Sequence, residues 1–346
     1  MQHPEPSRGL GIAAAGNWIV DRVKIVDRLP ERGLLGSILS ETRAPGGSPA
    51  NVLADLARLQ APFPLFGFGI VGADSDGEFL LESYRKLGVC MKGVRQTPDA
   101  PTSYTDVMTE KGTGDRTFYH HRGANALFQP SDVPVETLSC RIFHLGYLLL
   151  LDAMDAADSE FGTVAARLLY EVRRRGIRTS VDVVSEAGDR FRLLVPPALA
   201  HCDYVICNEI EAGRAVGVDV RDRTGRLDTA ALREATHRLG TLGDMDLVAV
   251  HMPEGAVVRT RDGRCRAYGS LQLPDGYIRS AVGAGDAFCA GMLFGLHEGW
   301  PVDDCVRLAQ CAAAASLAAE GASDGVLPLH QTLALADRFP SRPPPL

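Results

Sequence analysis

The chain has 346 residues, 45% of them hydrophobic, and 43 acidic against 36 basic side chains give it a formal net charge of -7 at pH 7. This length and hydrophobic content are enough for one large buried core and exclude a disordered chain. The acidic balance and the absence of a run of Lys or Arg argue against a nucleic acid or a membrane surface as partner, so we expect a small diffusible molecule.

Cysteine usage and hydropathy indicate the cellular compartment in which we expect the protein. The eight cysteines are scattered, with neither a CxxC pair nor a Cys/His cluster at zinc spacing, and no Asn-x-Ser/Thr sequon is present. No apolar stretch reaches the roughly 20 residues that a membrane-spanning helix needs. We therefore expect a cytoplasmic protein with reduced thiols and no membrane partner.

Short apolar runs alternate with helical periodicities along most of the chain, which predicts an α/β fold with a mainly parallel central sheet and helices on both faces. The predicted strands are residues 12–15, 65–70, 142–145, 179–183, 204–207 and 247–251. The predicted helices are residues 49–60, 77–87, 159–175, 229–239, 286–297 and 303–320. We interpret residues 1–339 as a single domain.

Two segments, 21–43 and 102–121, interrupt this alternation. In the second segment Thr105 and Val107 alternate with Tyr104 and Asp106. Such patterns predict solvated antiparallel strands, and we expect both segments to form a small β lid outside the main sheet. The Pro-rich residues 340–346 are expected to form a frayed tail.

The strongest candidate for chemistry is the small-residue turn that leads into the helix predicted at 286–297. In Gly283-Ala284-Gly285 the backbone N–H groups can point at an anion, and the helix dipole adds positive potential there. Asp286 stands next to that anion, placed to accept the proton of an attacking hydroxyl. The competing interpretation is a helix-capping Asp after a flexible loop.

A second glycine turn, Gly46-Gly47, leads into the helix that begins near Pro49. Bare glycines let a polar ligand approach the backbone, and Asn51 offers both a donor and an acceptor to a substrate hydroxyl. The alternative is a plain turn followed by a structural Asn.

Asn208 and Glu211 follow the strand predicted at 204–207. Ligands of open α/β sheets bind at the carboxyl ends of the strands, and these two residues share one face of a helix that begins there. They can hold water around a phosphate-bound Mg²⁺. The alternative is a capping arrangement with a solvated acid.

Two further patterns are misleading. Residues 67–72 match GxGxxG, but Pro62 and Pro64 interrupt the preceding segment and Lys92 stands where a ribose-binding acid is required, so we reject a dinucleotide site. Residues 74–77 look like the start of a calcium loop, yet no Glu closes that loop, and we interpret them as a turn before a helix. The motif GxxxxGK[ST] is absent from the sequence, which excludes a P-loop.

Taken in order, these motifs resemble those of the ribokinase-like, or phosphofructokinase-B type, family of carbohydrate kinases, over nearly the whole chain. The matching segments are residues 16–21, 46–51, 69–77, 116–125, 208–211 and 283–286. The resemblance implies a three-layer ribokinase-like domain with a β lid, which often serves as a dimer interface. It also implies ATP and Mg²⁺ as cofactors, with a monovalent cation such as K⁺ as a further candidate.

The same resemblance assigns roles to individual residues. Asp286 is implied as the catalytic base, with Gly283, Ala284 and Gly285 as the anion hole. The implied substrate-binding residues are Asp21, Gly46, Gly47, Asn51, Arg116 and Asn125. The implied nucleotide-binding residues are Asn208, Glu211, His251, Gly255 and Ala315, and Glu211 is expected to hold Mg²⁺ through water.

Three departures from the family pattern concern the phosphates and the nucleotide. Ser280-Ala281 stand where the family usually has Asp-Thr, and Val184 stands where a DxN pattern has Asn. A glycine that commonly borders the nucleotide is replaced or deleted near His251-Met252. These changes affect the expected nucleotide contacts more than they affect the base.

The residues leave the substrate class open. A site built from hydroxyl-binding groups favours a sugar. A nucleoside kinase is the nearest alternative, because Trp18, Tyr104, Phe118 and Tyr119 can stack on a base. Arg122 can meet a carboxylate, as in kinases of keto-deoxy acids.

An alternative from a different class is a degenerate kinase that senses a sugar without phosphorylating it, which the departures near the nucleotide would fit. The retained Asp286 favours phosphorylation, since a protein that only binds its ligand has no need of a base. A vitamin-type kinase is disfavoured, because such kinases usually lack the pair formed by Asp21 and Asn51.

Overall fold

The computed structural model describes residues 10–113, 115–184, 188 and 190–346. Its strands in chain order are β1 (Gly11–Gly16), β2 (Ile19–Val26), β3 (Ile38–Gly46), β4 (Leu65–Gly72), β5 (Cys90–Thr97), β6 (Ser103–Glu110), β7 (Arg116–His121), β8 (Cys140–Leu148), β9 (Ala157–Asp158), β10 (Gly162–Thr163), β11 (Arg178–Val183), β12 (Tyr204–Asn208), β13 (Leu247–Met252), β14 (Gly255–Thr260) and β15 (Cys265–Gly269). Its α-helices are α1 (Ser48–Arg58), α2 (Ser75–Lys86), α3 (Asp152–Asp155), α4 (Val164–Arg174), α5 (Arg190–Leu199), α6 (Glu209–Val216), α7 (Thr229–Leu239), α8 (Ala284–His297), α9 (Val302–Ser316), α10 (Leu329–Leu333) and α11 (Leu335–Arg338). Short 3₁₀ helices cover Gly123–Leu127, Pro130–Asp132 and Val135–Thr137.

The main sheet has the strand order β15-β14-β13-β12-β11-β8-β1-β4-β5 in the described part of the chain. All strands from β13 to β5 in this order pair in parallel, whereas β14 and β15 are antiparallel. Because the residues of β1 are buried on both faces of the sheet, this strand is a short run of apolar residues rather than an alternating pattern. The predicted α/β class with a mainly parallel sheet is confirmed.

Helices cover both faces of this sheet. In β1, Ile12 and Ala14 point into one core cluster, which they share with α1, α2, α8 and α9. Ala13 and Ala15 point into a second cluster, which they share with α4, α5, α6 and α7. The result is the three-layer arrangement that the sequence predicted.

The predicted lid is a separate sheet with the order β3-β2-β6-β7. Its β2–β3 and β6–β7 pairs are antiparallel, as the alternating pattern predicted, whereas β2 and β6 pair in parallel at the centre of the lid. The reason lies in the main sheet. Strands β1 and β5 are parallel to each other, so β2 and β6, which follow them, leave the same edge in the same direction.

Several elements escaped the sequence prediction. Strand β5 and the β14–β15 hairpin lie toward the two edges of the sheet, where exposed polar residues dilute the apolar signal. Helix α5 contains Pro196 and Pro197, which mark a break in a helical pattern. Helix α4 starts five residues later than predicted, because Thr163 caps it after the β9–β10 hairpin, its hydroxyl accepting from the Ala166 N–H at 3.1 Å.

The Pro-rich tail is paired rather than frayed. The Gln272 N–H donates to Pro340 O at 2.8 Å, and the Arg342 N–H donates to Ser270 O at 2.7 Å. Leu271 forms an antiparallel bridge with the tail between these two bonds. The prediction failed because the tail finds its partners in a segment about 70 residues earlier, which no local pattern reveals.

Two features relate to the cellular environment. All eight cysteines are free thiols. Among the described residues, no helix combines the length and the apolar character needed to cross a bilayer.

Candidate active site

Side chains from several elements meet at the carboxyl edge of the main sheet. Asp182 lies near the end of β11, Asn208 at the end of β12 and His251 near the end of β13. The beginning of α8 brings Asp286 to the same place, and α1 brings Asn51. Parallel strands end at the same edge, so one fold places residues that are far apart in sequence side by side.

The glycine turn and its helix have the predicted arrangement. Helix α8 begins at Ala284, two residues earlier than predicted, with Gly283 as its N-cap at φ 81°. A Cβ on Gly283 would lie 2.6 Å from the Ala322 Cα, so both the backbone angle and the space require glycine. Asp286 is in the first turn, where the backbone N–H groups have no intrahelical acceptor and the helix dipole is positive.

The carboxyl group of Asp286 is buried and held by two partners. Asn51 donates from Nδ2 to Asp286 Oδ2 at 2.8 Å. Asp182 is the second partner, because its charge and its side-chain hydrogen bond with Asp286 both act on the pKa of Asp286. Burial, and next to it the negative charge of Asp182, raise the pKa of Asp286 well above its ordinary value. Burial raises the pKa of Asp182 to about 6.

Sequence reasoning did not name Asp182 as a site residue. The signal that could have identified it was an acid at the end of an apolar strand.

A chain of buried polar groups supports Asp182. Ser48 forms a hydrogen bond with Asp182, and Ser48 Oγ lies 3.3 Å from His144 Nε2. The other ring nitrogen of His144, Nδ1, lies 3.2 Å from Ser180 Oγ. Burial lowers the pKa of His144 to about 4, so this imidazole is neutral at physiological pH. These contacts link Asp182 through Ser48 to the buried ring of His144.

The expected sugar side is built where the lid meets the main sheet. Asp21 of β2 is half-buried, and burial raises its pKa to about 6, while a hydrogen bond with Thr105 of β6 acts in the opposite direction. A Cβ on Gly46 would lie 2.8 Å from the Asp21 Cγ, so the first glycine of the turn makes room for this carboxylate. The second glycine, Gly47, has φ 100° and passes close to the Asn17 carbonyl group, which again requires glycine.

Tyr147 is a site residue that sequence reasoning missed. Burial raises the pKa of its phenol well above the ordinary value, and the charges of Asp286, Asp182 and Asp21 act in the same direction. Its backbone N–H donates to the buried side chain of Asn17. A tyrosine within an apolar strand carries no pattern that could have identified it.

Asn125 is buried and occupied by the backbone. Its Oδ1 accepts from the Trp18 N–H at 3.2 Å, and its Nδ2 donates to Trp18 O at 3.2 Å. In this structure the side chain therefore positions the segment between β1 and β2, which leads to Asp21.

Trp18 is part of the core, so it is not available to stack on a ligand, which was one of the possibilities that the sequence left open. It is fully buried, and its Nε1 donates to Phe68 O at 2.9 Å. A Cβ on Gly67 would lie 2.8 Å from the indole ring. The first glycine of the GxGxxG pattern thus makes room for a tryptophan, which explains the pattern without a dinucleotide.

Two arginines reach the site region from the lid and the segment that follows it. Arg116 of β7 donates from Nη2 to Ser280 Oγ at 3.2 Å, and the same oxygen accepts from the Val282 N–H at 3.2 Å. The lid therefore touches the glycine turn directly. Arg122 instead donates to Leu149 O at 2.9 Å and pairs with Asp152 at 2.8 Å, which ties its guanidinium to the body of the protein.

A cavity of about 520 Å³ opens beside the beginning of α8. Five of the predicted nucleotide-binding and anion-hole residues line it, namely Asn208, His251, Gly255, Ala284 and Gly285. The site thus brings the expected anion hole and the expected nucleotide-binding segments to one cavity.

The alanine run of α9 meets this cavity through Ala313 and Ala314. Ala315 does not line the cavity; it packs in a third core cluster with Leu271 and Phe339. Successive residues of a helix point in directions about 100° apart, so two of the three alanines can face the cavity while the third cannot.

His251 stands beside the glycine turn. Its ring lies 5.0 Å from the ring of Phe288, and a Cβ on Gly285 would lie 3.3 Å from its Cε1. Burial lowers the pKa of His251 to about 4, so it presents a neutral ring to the cavity.

Asn208 and Glu211 form a complete capping box at the start of α6. Asn208 Oδ1 accepts from the Glu211 N–H at 2.8 Å, and Glu211 Oε2 accepts from the Asn208 N–H at 3.0 Å. The capping interpretation is therefore correct. The pair also lies within electrostatic reach of Asp286, because the charge of Glu211 contributes to the raised pKa of that carboxyl group. No cluster of three or more His, Cys, Asp or Glu within the described ranges forms a metal cage. The pair of Asn208 and Glu211, with its single carboxylate, fits Mg²⁺, which proteins commonly hold through substrate phosphates and water with one or two carboxylates.

Known proteins resemble this chain over most of its length. The model of the pfkB family carbohydrate kinases matches residues 11–328. An ATP-dependent ribose-1-phosphate kinase from Halopiger xanaduensis is 27% identical over 332 residues, covering 95% of this chain and 99% of the relative. A 5-dehydro-2-deoxygluconokinase from Clostridium perfringens is 23% identical over 288 residues, covering 81% of this chain and 80% of the relative.

Solved structures show the same fold. A ribokinase from Thermotoga maritima has a TM-score of 0.77 at 21% identity, covering 95% of this chain and 99% of that chain. A ribokinase from Arabidopsis thaliana in complex with ribose and ATP has a TM-score of 0.76 at 21% identity, covering 94% of this chain and 98% of that chain. With a family match over most of its length, this chain belongs to the pfkB family of carbohydrate kinases.

Proposed function

We propose that this protein transfers the γ-phosphoryl group of ATP to a hydroxyl of a small sugar or sugar-like molecule, with Asp286 as the general base. The observation that carries the proposal is the position of Asp286. It lies in the first turn of α8, directly after the glycine turn that lines the cavity, and Asn51 of the expected sugar side contacts it.

In this mechanism Asp286 accepts the proton as the substrate oxygen attacks the γ-phosphorus, and the bond from that phosphorus to the bridging oxygen of ADP breaks. The raised pKa that burial and Asp182 impose makes Asp286 a stronger proton acceptor than an ordinary carboxylate. The N–H groups at Gly283, Ala284 and Gly285 stabilise the charge on the phosphoryl oxygens. Electrostatic stabilisation and positioning are the main protein contributions to phosphoryl transfer.

The sugar is held by Asp21, Gly46, Gly47 and Asn51, with Asn125 orienting the segment that carries Asp21. Two observations support this assignment. The Asp21 carboxylate is half-buried at the junction of lid and sheet, and Asn51 links the same side to the base. A substrate without hydroxyl groups would leave these polar groups unpaired, which favours a polyol.

Arg116 of the lid lies where the expected sugar site meets the glycine turn that would bind the phosphoryl group. Its bond to Ser280 places a guanidinium next to the glycine turn, and among the described residues it forms no ion pair with a carboxylate. The lid thus brings a positive charge to the place where negative charge develops.

We assign the nucleotide to the cavity lined by His251 and Gly255. Mg²⁺, when bound, neutralises the phosphate charge. Glu211 and Asn208 would hold the ion through water, and their mutual capping bonds keep both side chains in place.

We further propose a homodimer that forms through the lid. The lid and the loop within it expose large apolar side chains, including Leu34, Leu35, Ile38, Phe118 and Tyr119. Exposed apolar side chains concentrated on one part of a protein mark interaction sites.

We also propose that the protein acts in the cytoplasm. The eight free cysteines support a reducing compartment.

The proposal is tested by ADP release from ATP and Mg²⁺ over a panel of ketoses, aldoses, sugar acids, sugar phosphates and nucleosides, in K⁺ and in Na⁺ buffers. Asp286→Asn is the matched control, because its amide oxygen can still accept from Asn51. We expect turnover on one class and a loss of about 10²–10⁴ in kcat for Asp286→Asn, with substrate binding retained.

Two outcomes would contradict the proposal. If no member of the panel is phosphorylated but one stabilises the protein thermally, the sugar-sensing alternative is supported instead. If Asp286→Asn retains full turnover, Asp286 is not the base.

A further inference from the structure

The last segment of the chain, residues 339–346, is anchored at both ends. Phe339 is buried and its ring lies 5.3 Å from the ring of Tyr277. Leu346 packs against the second core cluster. Between them a Cβ on Gly269 would lie 2.6 Å from the carbonyl carbon of Arg342, so the glycine permits close contact between β15 and the tail. This segment lies outside residues 11–328, to which the family model extends.

The anchored segment forms part of the wall of the 520 Å³ cavity. Arg342 lines this cavity, together with Ser270 and Leu271, with which the tail pairs. Leu271 also packs against α9, where Ala314 lines the same cavity. The tail therefore borders the apolar end of the cavity, whereas Gly285 marks the end where the phosphates belong.

The guanidinium of Arg342 forms no hydrogen bond or ion pair within the described ranges. The positive charge of Arg342 acts on the carboxylate of Glu254, whose pKa it helps to lower. This carboxylate is already held by Arg221 through two bonds of 2.9 and 2.8 Å. Arg342 is exposed at the edge of the cavity, so its planar cation is available to a ligand there.

We propose that residues 339–346 form the outer wall of the nucleotide site and that Arg342 binds the nucleotide by placing its guanidinium on the face of the base. A planar guanidinium stacks on aromatic rings through cation–π attraction, and an apolar cavity end suits a base rather than phosphates. The inference rests on the proposed function only in taking the cavity as a nucleotide site.

The test uses the full-length protein, Arg342→Ala, Arg342→Lys and a variant that ends at Phe339. Arg264→Ala is the matched control, because this arginine is exposed in the β14–β15 turn and pairs only with the nearby Asp262 among the described residues. ADP and ATP binding are measured by calorimetry without sugar, and KM values for ATP and sugar are measured separately.

We expect Arg342→Ala to weaken nucleotide binding about fivefold, with the KM for sugar and the thermal stability unchanged. Arg342→Lys should recover only part of the loss, since an ammonium group lacks the planar stacking surface. The variant that ends at Phe339 should weaken binding about tenfold or more, because it removes the wall as well as the cation. Arg264→Ala should bind like the parent protein.

Equal nucleotide affinity in the parent, Arg342→Ala and the shortened protein would overturn the inference while leaving the proposed function intact. Nucleotide binding that depends on Arg342, without turnover of any sugar, would support the inference and contradict the proposed function. If the parent binds no nucleotide, both are wrong. A shortened variant that fails to fold leaves the decision to Arg342→Ala, which removes a single exposed side chain.

Discussion

Replacing Gly46 with alanine tests whether Asp21 binds the substrate. A Cβ at this position would lie 2.8 Å from the Asp21 Cγ and 3.2 Å from its Oδ1, with Oδ2 closer still. Ordinary contacts of a Cβ are 3.4–4 Å. The carboxylate must therefore move by about 0.5–1 Å, a displacement large enough to lower the rate by up to about 100-fold when it affects a reacting geometry.

We expect Gly46→Ala to lower kcat/KM for the sugar by about 10- to 100-fold. The KM for ATP should stay the same, because Gly46 does not line the nucleotide cavity. Steady-state kinetics with each substrate varied in turn measures both quantities. Gly112→Ala is the control, since a Cβ on this lid glycine meets nothing within 4 Å.

The reasoning is refuted if Gly46→Ala folds normally and retains the parent's kcat/KM for the sugar. In that case the carboxylate either moves without consequence or does not contact the substrate. A rise in the KM for ATP of the same size as that for the sugar would instead show a general distortion of the site.

Three other predictions concern acids and the lid. Asp182→Asn should move the acidic limb of the kcat/KM profile to lower pH, because losing this charge lowers the pKa of Asp286; an unmoved limb in a pH–rate series would contradict the pairing. Asp55 is buried, neither of its carboxylate oxygens has a hydrogen-bond partner among the described residues, and burial raises its pKa well above the ordinary value. The folded protein therefore keeps a proton on Asp55 that the unfolded chain has released, and its stability falls as the pH rises. Asp55→Ala removes this loss and should raise the free energy of unfolding at pH 8 by about 1–3 kcal/mol relative to its effect at pH 5. An equal effect of the substitution at pH 5 and pH 8 in urea unfolding would disprove this prediction. Leu35→Asp should give monomers in light scattering, and an unchanged mass would exclude this part of the lid from the interface.

The sequence motifs, taken in their order along the chain, were sufficient to predict the fold and to name most of the residues that meet at the candidate site. The turn at Gly283 and the helix that follows it are local features, because positive φ and the first helical turn depend on a few neighbouring residues. The same holds for the capping box of Asn208 and Glu211, in which both bonds join residues three apart.

Contacts between distant segments were not predictable in the same way. The hydrogen bond between Asp182 and Asp286 joins residues about 100 positions apart, and the bond from Arg116 to Ser280 spans 164 positions. Neither pair has a spacing that distinguishes it from other charged or polar pairs. The burial of Trp18 was likewise invisible, since an aromatic residue after a strand is equally compatible with a core and with a ligand site.

The sequence by itself determined most of the central strands and helices, where glycine turns begin two of the helices and which residue is the candidate base, because these depend on local backbone preferences and on the period of apolar residues. Only the tertiary structure decided which carboxylate faces Asp286, that β2 and β6 pair in parallel, and that the tail joins the cavity wall at Arg342. Each of these depends on strand order and on the direction in which segments leave the sheet, and those are properties of the packed chain rather than of neighbouring residues.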